Sequence, residues 1–147
     1  MNTDDYLKKA EDICYHRSAR FTALRRRVLE LVVDAGQPVG AYAVLDLLKA
    51  DDEEASRKAA PPTVYRALDF LLEHGLIHRI ASHNTYIVCD HPGHKHGGLF
   101  LACSKCGSVK ELESHAVAHA IDDVAKAQGF KVQAENMELT GLCDGCQ

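Results

Sequence analysis

The sequence predicts an α+β fold in two parts, with helices and a hairpin up to residue 89 and a smaller mixed part from residue 99. Three observations predict it. Before residue 75, apolar residues recur with the helical period in several segments. The pattern then changes to short β-branched runs. Residues 90–98 read DHPGHKHGG, a polar stretch rich in glycine and histidine that favours a linker. We therefore expect domains over 1–89 and 99–147 with a hinge over 90–98.

The first two helices are marked by their boundaries. Residues 3–17 have a weak amphipathic period and form the first helix. Thr22 is a candidate N-cap for the second, because apolar residues follow at i, i+4, i+7 and i+8 from Leu24. Gly36 and Pro38 end this second helix.

Two more helices complete the helical region. Residues 41–48 carry apolar side chains on one face. The fourth helix begins at a pair of prolines, with Pro62 or Thr63 in its first turn, and Gly75 closes it. The last two helices suit a helix-turn-helix pair.

A hairpin follows the helices. Residues 77–81 and 85–89 contain β-branched residues and a tyrosine, and they flank a polar Ser-His-Asn segment, so we expect a turn at residues 83–84. Three helices followed by a hairpin is the element order of a winged helix-turn-helix.

The second part is predicted to be α+β. Residues 99–102 and 108–112 are candidate strands, a helix spans 114–128, and 130–140 alternate loosely as a final strand. The apolar residues that we expect to face inward on this helix are Val117, Ala120, Ile121 and Val124.

Composition excludes several classes of protein. The chain has 147 residues, of which 26% are charged and 46% hydrophobic, so wholesale disorder is excluded. No apolar run approaches the ~18 residues of a membrane span. The N-terminal sequence MNTDDYLKKAEDIC lacks an apolar signal region, so we expect a cytoplasmic protein. Six Cys and nine His, with no Trp, are the unusual counts, and outside a secreted protein they indicate metal ligands or redox thiols.

Positive charge is concentrated locally although the net charge is −4. The eleven-residue segment 17–27 contains no acidic residue and includes Arg17, Arg20, Arg25, Arg26 and Arg27. Such a cluster is either a solvated helix face or a surface that contacts an anion such as nucleic acid. Net negative charge does not exclude the second interpretation, because a local basic patch is enough.

Two CxxC pairs carry the most specific signal. They are Cys103 with Cys106 and Cys143 with Cys146. Two such pairs complete a tetrahedral shell of four thiolates, which is typical of a closed structural zinc site. The alternatives are redox dithiols or disulfides, but the βαβ pattern of a thioredoxin-like motif is absent.

A second ligand group lies around the hairpin and linker. Counting back from a turn at residues 83–84 places His78 directly opposite Cys89, where an imidazole and a thiolate can share one ion. The linker adds His96, and the strand beside the first CxxC pair adds Glu111. One sulfur, two nitrogens and one oxygen suit zinc. The alternative is that His78 is a surface residue and Cys89 a small buried one.

Catalysis has little support in the sequence. A catalytic zinc needs an open coordination position and a base, and no Ser/His/Asp set or HExxH motif accompanies these ligands. We therefore expect a protein that is not an enzyme. A thiol-redox enzyme, a zinc hydrolase and a zinc buffer without DNA binding are the alternatives from other classes.

Several strings together resemble the ferric-uptake-regulator superfamily, and within it the zinc-uptake regulators. They are PPTVYRALDFLLEHGLIHR, the wing ending in YIVC, CSKCGSVKELE and the terminal GLCDGC, and the similarity covers about residues 6–147. The resemblance implies a homodimeric, zinc-responsive repressor of zinc-uptake genes. It also implies an N-terminal winged-helix DNA-binding domain and a C-terminal α/β dimerisation domain.

The resemblance also assigns two zinc ions to each subunit. Structural zinc is implied at the two CxxC pairs, and regulatory zinc at His78, Cys89, His96 and Glu111. Relatives that sense iron, manganese or peroxide are the alternative, and the Cys89 thiolate argues against them. Some relatives have a third site in the linker and C-terminal helix, for which this chain offers His91, His94, His115 and His119 at spacings that fit poorly.

DNA contacts are expected on the fourth helix, which enters the major groove in a winged helix-turn-helix. Arg66 can read guanine, and Tyr65 a thymine methyl or a phosphate. The string RFTALR departs from the family's usual pattern, since Pro and Gln are missing. The residues expected to contact DNA are Tyr65, Arg66, Tyr42, Thr63, Arg20 and Arg25.

Overall fold

The computed structural model describes residues 2–93, 98–133 and 136–147. The chain divides into two compact units, Met1–His94 and Lys95–Gln147. This division falls within the stretch 90–98, where the sequence predicts a hinge. Among the described residues, no helix combines the length and hydrophobicity needed to cross a membrane.

Over its described residues, the first unit consists of five helices and a three-stranded antiparallel sheet, ordered β1-β3-β2. All four predicted helices are present. The sequence missed the short α4 and the two-residue β1, because neither is long enough to show a period. The elements are α1 (Thr3–His16), α2 (Ala23–Ala35), β1 (Val39–Gly40), α3 (Ala41–Lys49), α4 (Glu54–Arg57), α5 (Pro61–Glu73), β2 (Ile77–Ile80) and β3 (Thr85–Val88).

Local hydrogen bonds explain where these helices begin and end. Asn2 caps α1 by accepting from the Asp5 N–H at 2.8 Å. As predicted, the Thr22 hydroxyl accepts from the Arg25 N–H at 3.3 Å and caps α2. Gly36 follows α2 with a φ of 63°, a left-handed conformation that glycine adopts without strain. These local contacts therefore account for where α1 and α2 begin and where α2 ends.

One continuous core holds the first unit together. Helices α1, α2, α3 and α5 each bury one apolar face in it, and Tyr86 of the hairpin joins them. Phe21 stacks on Phe70 at 6.5 Å between ring centres, which ties the start of α2 to α5. The fully buried large side chains of this core include Leu7, Val28, Leu29, Val32, Val44, Leu48, Leu68, Leu71, Leu76 and Ile77.

The hairpin register differs from the prediction. His78 pairs with Ile87 rather than with Cys89, and Ile80 pairs with Thr85. The loop has four residues instead of two, and Asn84 closes it with a φ of 50°. The prediction was wrong by two residues, because it assumed a two-residue turn. A shift of two preserves the face on which each side chain lies, so His78 and Cys89 are diagonal neighbours on one face.

The second unit has a three-stranded sheet ordered β5-β4-β6, in which β4 pairs antiparallel with β5 and parallel with β6. The predicted final strand over 130–140 is observed only from Asn136, and residues 134–135 lie outside the described part of the chain. The elements are β4 (Gly98–Cys103), β5 (Val109–Leu112), α6 (His115–Ala127), β6 (Asn136–Gly141) and a 3₁₀ turn (Asp144–Cys146).

Helix α6 does not pack as predicted. Of the four residues expected to face inward, Val117 and Ile121 are half-buried, whereas Ala120 and Val124 are exposed. No residue of α6 is buried. The amphipathic period correctly predicts the helix, but it does not show whether a single chain supplies the surface that covers it.

Candidate metal centres and nucleic-acid interface

The two CxxC pairs form one cluster in the second unit, as the sequence predicts. The Sγ atoms of Cys103, Cys106, Cys143 and Cys146 all lie within 4.8 Å of one another, and none forms a disulfide. We call these four residues the four-cysteine cluster. Their convergence has a simple topological origin, which lies in the pairing of β4 with β6.

Parallel pairing brings the two halves of the cluster together. Cys103 ends β4 opposite Gly141, which ends β6, so both CxxC segments leave the same edge of the sheet. The Ser104 N–H donates to the Gly141 carbonyl at 2.9 Å and closes this edge. Segments that are 37 residues apart in sequence therefore meet.

The thiols of the four-cysteine cluster do not titrate alike. The Cys106 N–H, followed by the N–H groups of Cys143 and Lys105, donates to the Cys103 sulfur and lowers the pKa of that thiol to about 6. The Ser108 hydroxyl lowers the pKa of Cys106. The hydrogen bond of Cys146 with Cys143, together with burial and the nearby thiols, raises the pKa of Cys146 to about 12. Cys103 and Cys106 are therefore the thiols that ionise more readily and Cys146 the one that ionises least, and a bound cation would stabilise the thiolate form of all four.

The cluster fits a tetrahedral zinc ion. Zinc–sulfur bonds of about 2.3 Å place two thiolates of a tetrahedron about 3.8 Å apart. The Cys106 and Cys143 sulfurs are 3.8 Å apart. Four soft, anionic sulfur donors suit Zn²⁺ and not Mg²⁺ or Ca²⁺. All four ligands come from the second unit, so the shell is closed without any other part of the chain.

A second pair of donors lies at the base of the hairpin in the first unit. An imidazole nitrogen of His78 and the Cys89 sulfur lie within 4.8 Å of each other. We call these two residues the hairpin pair. Cys89 is completely buried and His78 is half-buried. The sequence predicts this pairing of side chains, although it places them directly opposite rather than diagonally.

The other two predicted ligands of the regulatory site belong to different parts of the chain. Glu111 is half-buried on β5, where it pairs with Phe100 of β4. His96 lies outside the described residues, so its role stays a prediction. A thiolate with an imidazole is a donor pair that suits zinc and disfavours harder cations.

The histidines of the expected third site remain without a tested role. His91 is exposed after β3, and His94 lies outside the described residues. His115 and His119 are both exposed, one turn apart at the start of α6. A third metal site therefore stays a prediction.

The predicted DNA-reading residues lie on the surface of the first unit. Arg66 is exposed on α5, whereas Thr63 and Tyr65 of the same helix are half-buried. Tyr65 packs partly against the core, so its ring has a structural role as well. Tyr42 is 65% exposed on α3, and only the short α4 lies between α3 and α5 in the sequence. Of the predicted DNA-contacting residues on α3 and α5, Arg66 and Tyr42 therefore have the most accessible side chains.

Much of the arginine cluster is engaged within the fold. Arg26 pairs with Glu11 at 2.8 Å, and Arg27 pairs with Glu30 and, through two hydrogen bonds of 2.8 Å each, with Asp51. The acid-free stretch in the sequence is therefore not a free cationic surface, since acids arrive from other elements.

The remaining arginines of the cluster differ in accessibility. The Arg25 guanidinium lies 4.1 Å from the centre of the Phe70 ring and donates to the Arg20 carbonyl, so it braces the start of α2. Arg17 donates to the His74 carbonyl at 3.0 Å. In the described part of the chain, the Arg20 side chain makes no ion pair and is exposed. Arg20 is therefore the member of this cluster best placed to bind a phosphate.

One contact at the hairpin has no signal in the sequence. The buried Tyr6 hydroxyl donates to the carbonyls of Leu76 and Cys89, at 2.7 and 2.9 Å. These partners are 70 and 83 residues away, beyond the reach of any local pattern.

Comparison with known proteins agrees with this arrangement. The model of the ferric uptake regulator family matches residues 16–140. The zinc uptake regulation protein of Escherichia coli (strain K12) is 41% identical over 98% of this chain and 82% of that protein. A solved zinc uptake regulator complexed with zinc and DNA has a TM-score of 0.88 at 39% identity, covering 99% of this chain and 95% of its own. The holo form of XcZur has a TM-score of 0.83 at 42% identity, covering 96% of each chain. The chain therefore belongs to the ferric uptake regulator family, and within it to the zinc uptake regulators.

Proposed function

We propose that this chain is a zinc-responsive transcriptional repressor, which binds operator DNA as a homodimer when zinc occupies a regulatory site and so represses zinc-uptake genes. The observation that carries the proposal is the hairpin pair, a thiol and an imidazole within 4.8 Å of each other in the unit that contains α5. The relative of known structure that most directly supports it is complexed with zinc and DNA. A DNA-binding regulator of this kind acts in the cytoplasm.

The regulatory zinc is proposed to be held by His78, Cys89, His96 and Glu111. The first two belong to the first unit and Glu111 to the second. An ion whose ligands come from both units would hold the two units in one arrangement. Zinc binding would then select, from an ensemble, one arrangement of the DNA-binding units. Zinc binds the thiolate form of Cys89, so the site releases a proton as it fills.

The structural zinc is proposed to be held by the four-cysteine cluster. It closes the edge of the sheet where β4 and β6 end and supports a unit too small for a large core of its own. Two zinc ions per subunit then have different roles, one in folding and one in sensing.

Dimerisation is proposed to use the second unit. Val124 and Phe130 are 69% and 66% exposed, which is unusual for large apolar side chains of a compact unit. Strand β6 is at the edge of its sheet and exposes further apolar residues. Among the described residues of this unit, the exposed large apolar side chains are Leu101, Val124, Phe130, Met137, Leu139 and Leu142. A second copy of the chain would cover such a surface.

DNA binding is proposed to use α5 in the major groove. Arg66 is exposed there and offers a bidentate donor for guanine, while Tyr42, Thr63 and Tyr65 provide further contacts. Arg20 and Arg25 are proposed to position the phosphate backbone, and the exposed Arg20 makes the larger contribution because Arg25 is already stacked on Phe70.

Fluorescence anisotropy of a labelled AT-rich palindromic duplex, titrated against buffered free zinc, tests the proposal. We expect binding to appear as the regulatory site fills, while a random duplex of equal length binds weakly at every zinc concentration. Equal binding with and without zinc would contradict the co-repressor mechanism. Equal binding to both duplexes would contradict the repressor assignment.

A further inference from the structure

The hydroxyl of Tyr6 joins the first helix to the hairpin pair. Tyr6 is only 5% exposed, and its Oη lies 2.7 Å from the Leu76 carbonyl oxygen and 2.9 Å from the Cys89 carbonyl oxygen. The single proton of this buried hydroxyl is thus shared between two carbonyls, one at each end of the hairpin, since Leu76 precedes β2 and Cys89 follows β3.

Cys89 lies one residue beyond the ladder between β2 and β3, which ends at Ile77 and Val88. Its position therefore depends on contacts outside the strands. The Cys89 N–H donates to the Leu76 carbonyl at 3.0 Å, and the Cys89 carbonyl accepts from Tyr6. The N–H and the carbonyl of Cys89 are therefore both hydrogen-bonded. The Leu76 carbonyl that accepts from the Cys89 N–H also accepts from the Tyr6 hydroxyl. The backbone that carries the thiol is therefore fixed by a closed network with Tyr6 at its centre.

The residue that follows α1 also contacts the end of α5. Arg17, which follows α1, donates to the His74 carbonyl at 3.0 Å, and the Leu76 N–H donates to the Leu71 carbonyl at 2.9 Å. Helix α1 and the residue that follows it thus contact the chain at both ends of the short segment that runs from α5 into β2. They brace the connection between the helix proposed to read DNA and the residue proposed to bind zinc.

We propose that Tyr6 is a positioning residue for the regulatory zinc ligand Cys89, and that it sets zinc affinity by holding the Cys89 backbone in place before the metal binds. This inference rests on the proposed role of Cys89 as a ligand. Without the hydroxyl, the Cys89 carbonyl loses a buried donor, and the segment samples more conformations in the metal-free protein. Zinc binding must then order that segment, which weakens affinity.

Cobalt titration of the full-length protein, with zinc retained in the four-cysteine cluster, tests the proposal. Thiolate-to-cobalt charge-transfer absorption then reports on Cys89, because the other metal-binding thiols stay occupied. The variant is Tyr6→Phe, which removes only the hydroxyl. Tyr86→Phe is the matched control, since Tyr86 is equally buried, at 3% exposed, and lies on β3 of the same hairpin.

We expect Tyr6→Phe to raise the cobalt dissociation constant about tenfold, with the absorption band unchanged at saturation. Tyr86→Phe should leave the dissociation constant within about twofold of the wild-type value. Operator affinity of Tyr6→Phe at saturating zinc should also equal that of the wild type. A Tyr6→Phe protein that melts at a lower temperature but binds cobalt with the wild-type midpoint would overturn the proposal, because Tyr6 would then serve stability alone.

If Tyr6→Phe fails to fold, the wild-type sequence still provides a test. Because the Cys89 N–H donates to the Leu76 carbonyl that Tyr6 also contacts, the Cys89 amide should already be protected from hydrogen exchange while the regulatory site is empty, and it should gain little protection when zinc binds. A Cys89 amide that exchanges freely until zinc binds would overturn the proposal.

Cys89→Ser separates this inference from the proposed function. If that variant keeps the full charge-transfer band, Cys89 is not a ligand and the proposed regulatory site is wrong. If Cys89→Ser loses the band while Tyr6→Phe keeps the wild-type midpoint, the regulatory site is correct and only the role of Tyr6 is wrong.

Discussion

The four-cysteine cluster and the hairpin pair are both built from soft donors, but they differ in how many ligands one unit supplies. The second unit supplies all four thiols of the first site, and its parallel strand pair determines their position. The first unit supplies only a thiol and an imidazole for the second. A shell that is closed within one unit stabilises that unit, whereas a partial shell must recruit ligands and can couple metal binding to a conformational change.

The largest effect is expected from Cys103→Ser. Apparent binding energies of structural zinc reach about 10–16 kcal/mol, so loss of one thiolate should unfold the second unit and dissociate the dimer. Circular dichroism, sedimentation and zinc content should show less structure, a smaller species and the loss of one zinc per subunit. Cys14→Ser is the control, because Cys14 is a buried core thiol of the first unit and belongs to neither site. A stable Cys103→Ser dimer with full operator binding would refute the structural assignment.

Cys89→Ser and His78→Ala should separate sensing from folding. Each variant should remain a folded dimer with one zinc per subunit and lose at least about 100-fold in zinc-dependent operator affinity, because a missing ligand weakens the regulatory zinc. Anisotropy at buffered free zinc measures this loss, and Cys14→Ser should respond to zinc like the wild type. If either variant repressed normally, the hairpin pair would not be the sensor.

Arg66→Ala should reduce operator recognition by about 1–3 kcal/mol, or about 5- to 150-fold, because a bidentate contact with guanine is lost. Binding to random DNA should change much less. Arg26→Ala removes the same charge from a side chain that is already paired with Glu11, so it serves as the control. Equal loss on operator and random DNA would indicate a phosphate contact instead.

Arg27→Gln should cost about 1 kcal/mol in the free energy of unfolding, whereas Arg26→Gln should cost less than about 0.5 kcal/mol. The difference arises because the Arg27–Asp51 pair is bidentate and more buried, with side chains 30% and 15% exposed. The hydrogen bonds from Arg27 lower the pKa of Asp51 from its ordinary value of 3.8.

The effect of Arg27→Gln should depend on pH. A carboxyl group with a lowered folded-state pKa contributes stability that is fully present above 3.8 and is lost as pH falls through the lowered value. The stability difference between wild type and Arg27→Gln should therefore be largest near neutral pH and narrow below about pH 4. Urea unfolding at pH 7 and pH 3 measures this, and a constant difference would show that Asp51 ionisation is not involved.

Much of the fold was predictable from local chemistry. Thr22 and Gly36 bound α2 where their capping preferences place them, and the spacing of the CxxC pairs alone predicts their convergence. The hairpin register was not predictable, because it depends on a loop that Asn84 closes in a left-handed conformation. Residue types in that loop do not distinguish two residues from four.

Long-range contacts account for the rest. The ion pair of Arg27 with Asp51 and the hydrogen bond of Tyr6 with Cys89 join residues 24 and 83 positions apart, so no periodic pattern contains them. The packing of helix α6 is also beyond what a local pattern can predict. Its period predicts a buried face, but Val124 is exposed in a single chain, since the surface proposed to cover it belongs to a second copy.

Stepwise removal of zinc from the wild-type dimer tests the central claim most directly. Chelators of increasing affinity are added while zinc content, operator anisotropy and sedimentation are measured on the same samples. We predict two steps. In the first step, one zinc per subunit and operator binding are lost together while the dimer persists. In the second step, the remaining zinc is lost together with the dimer and the structure of the second unit. A single step that removes both zinc ions, operator binding and the dimer together would contradict the division between a folding site and a sensing site.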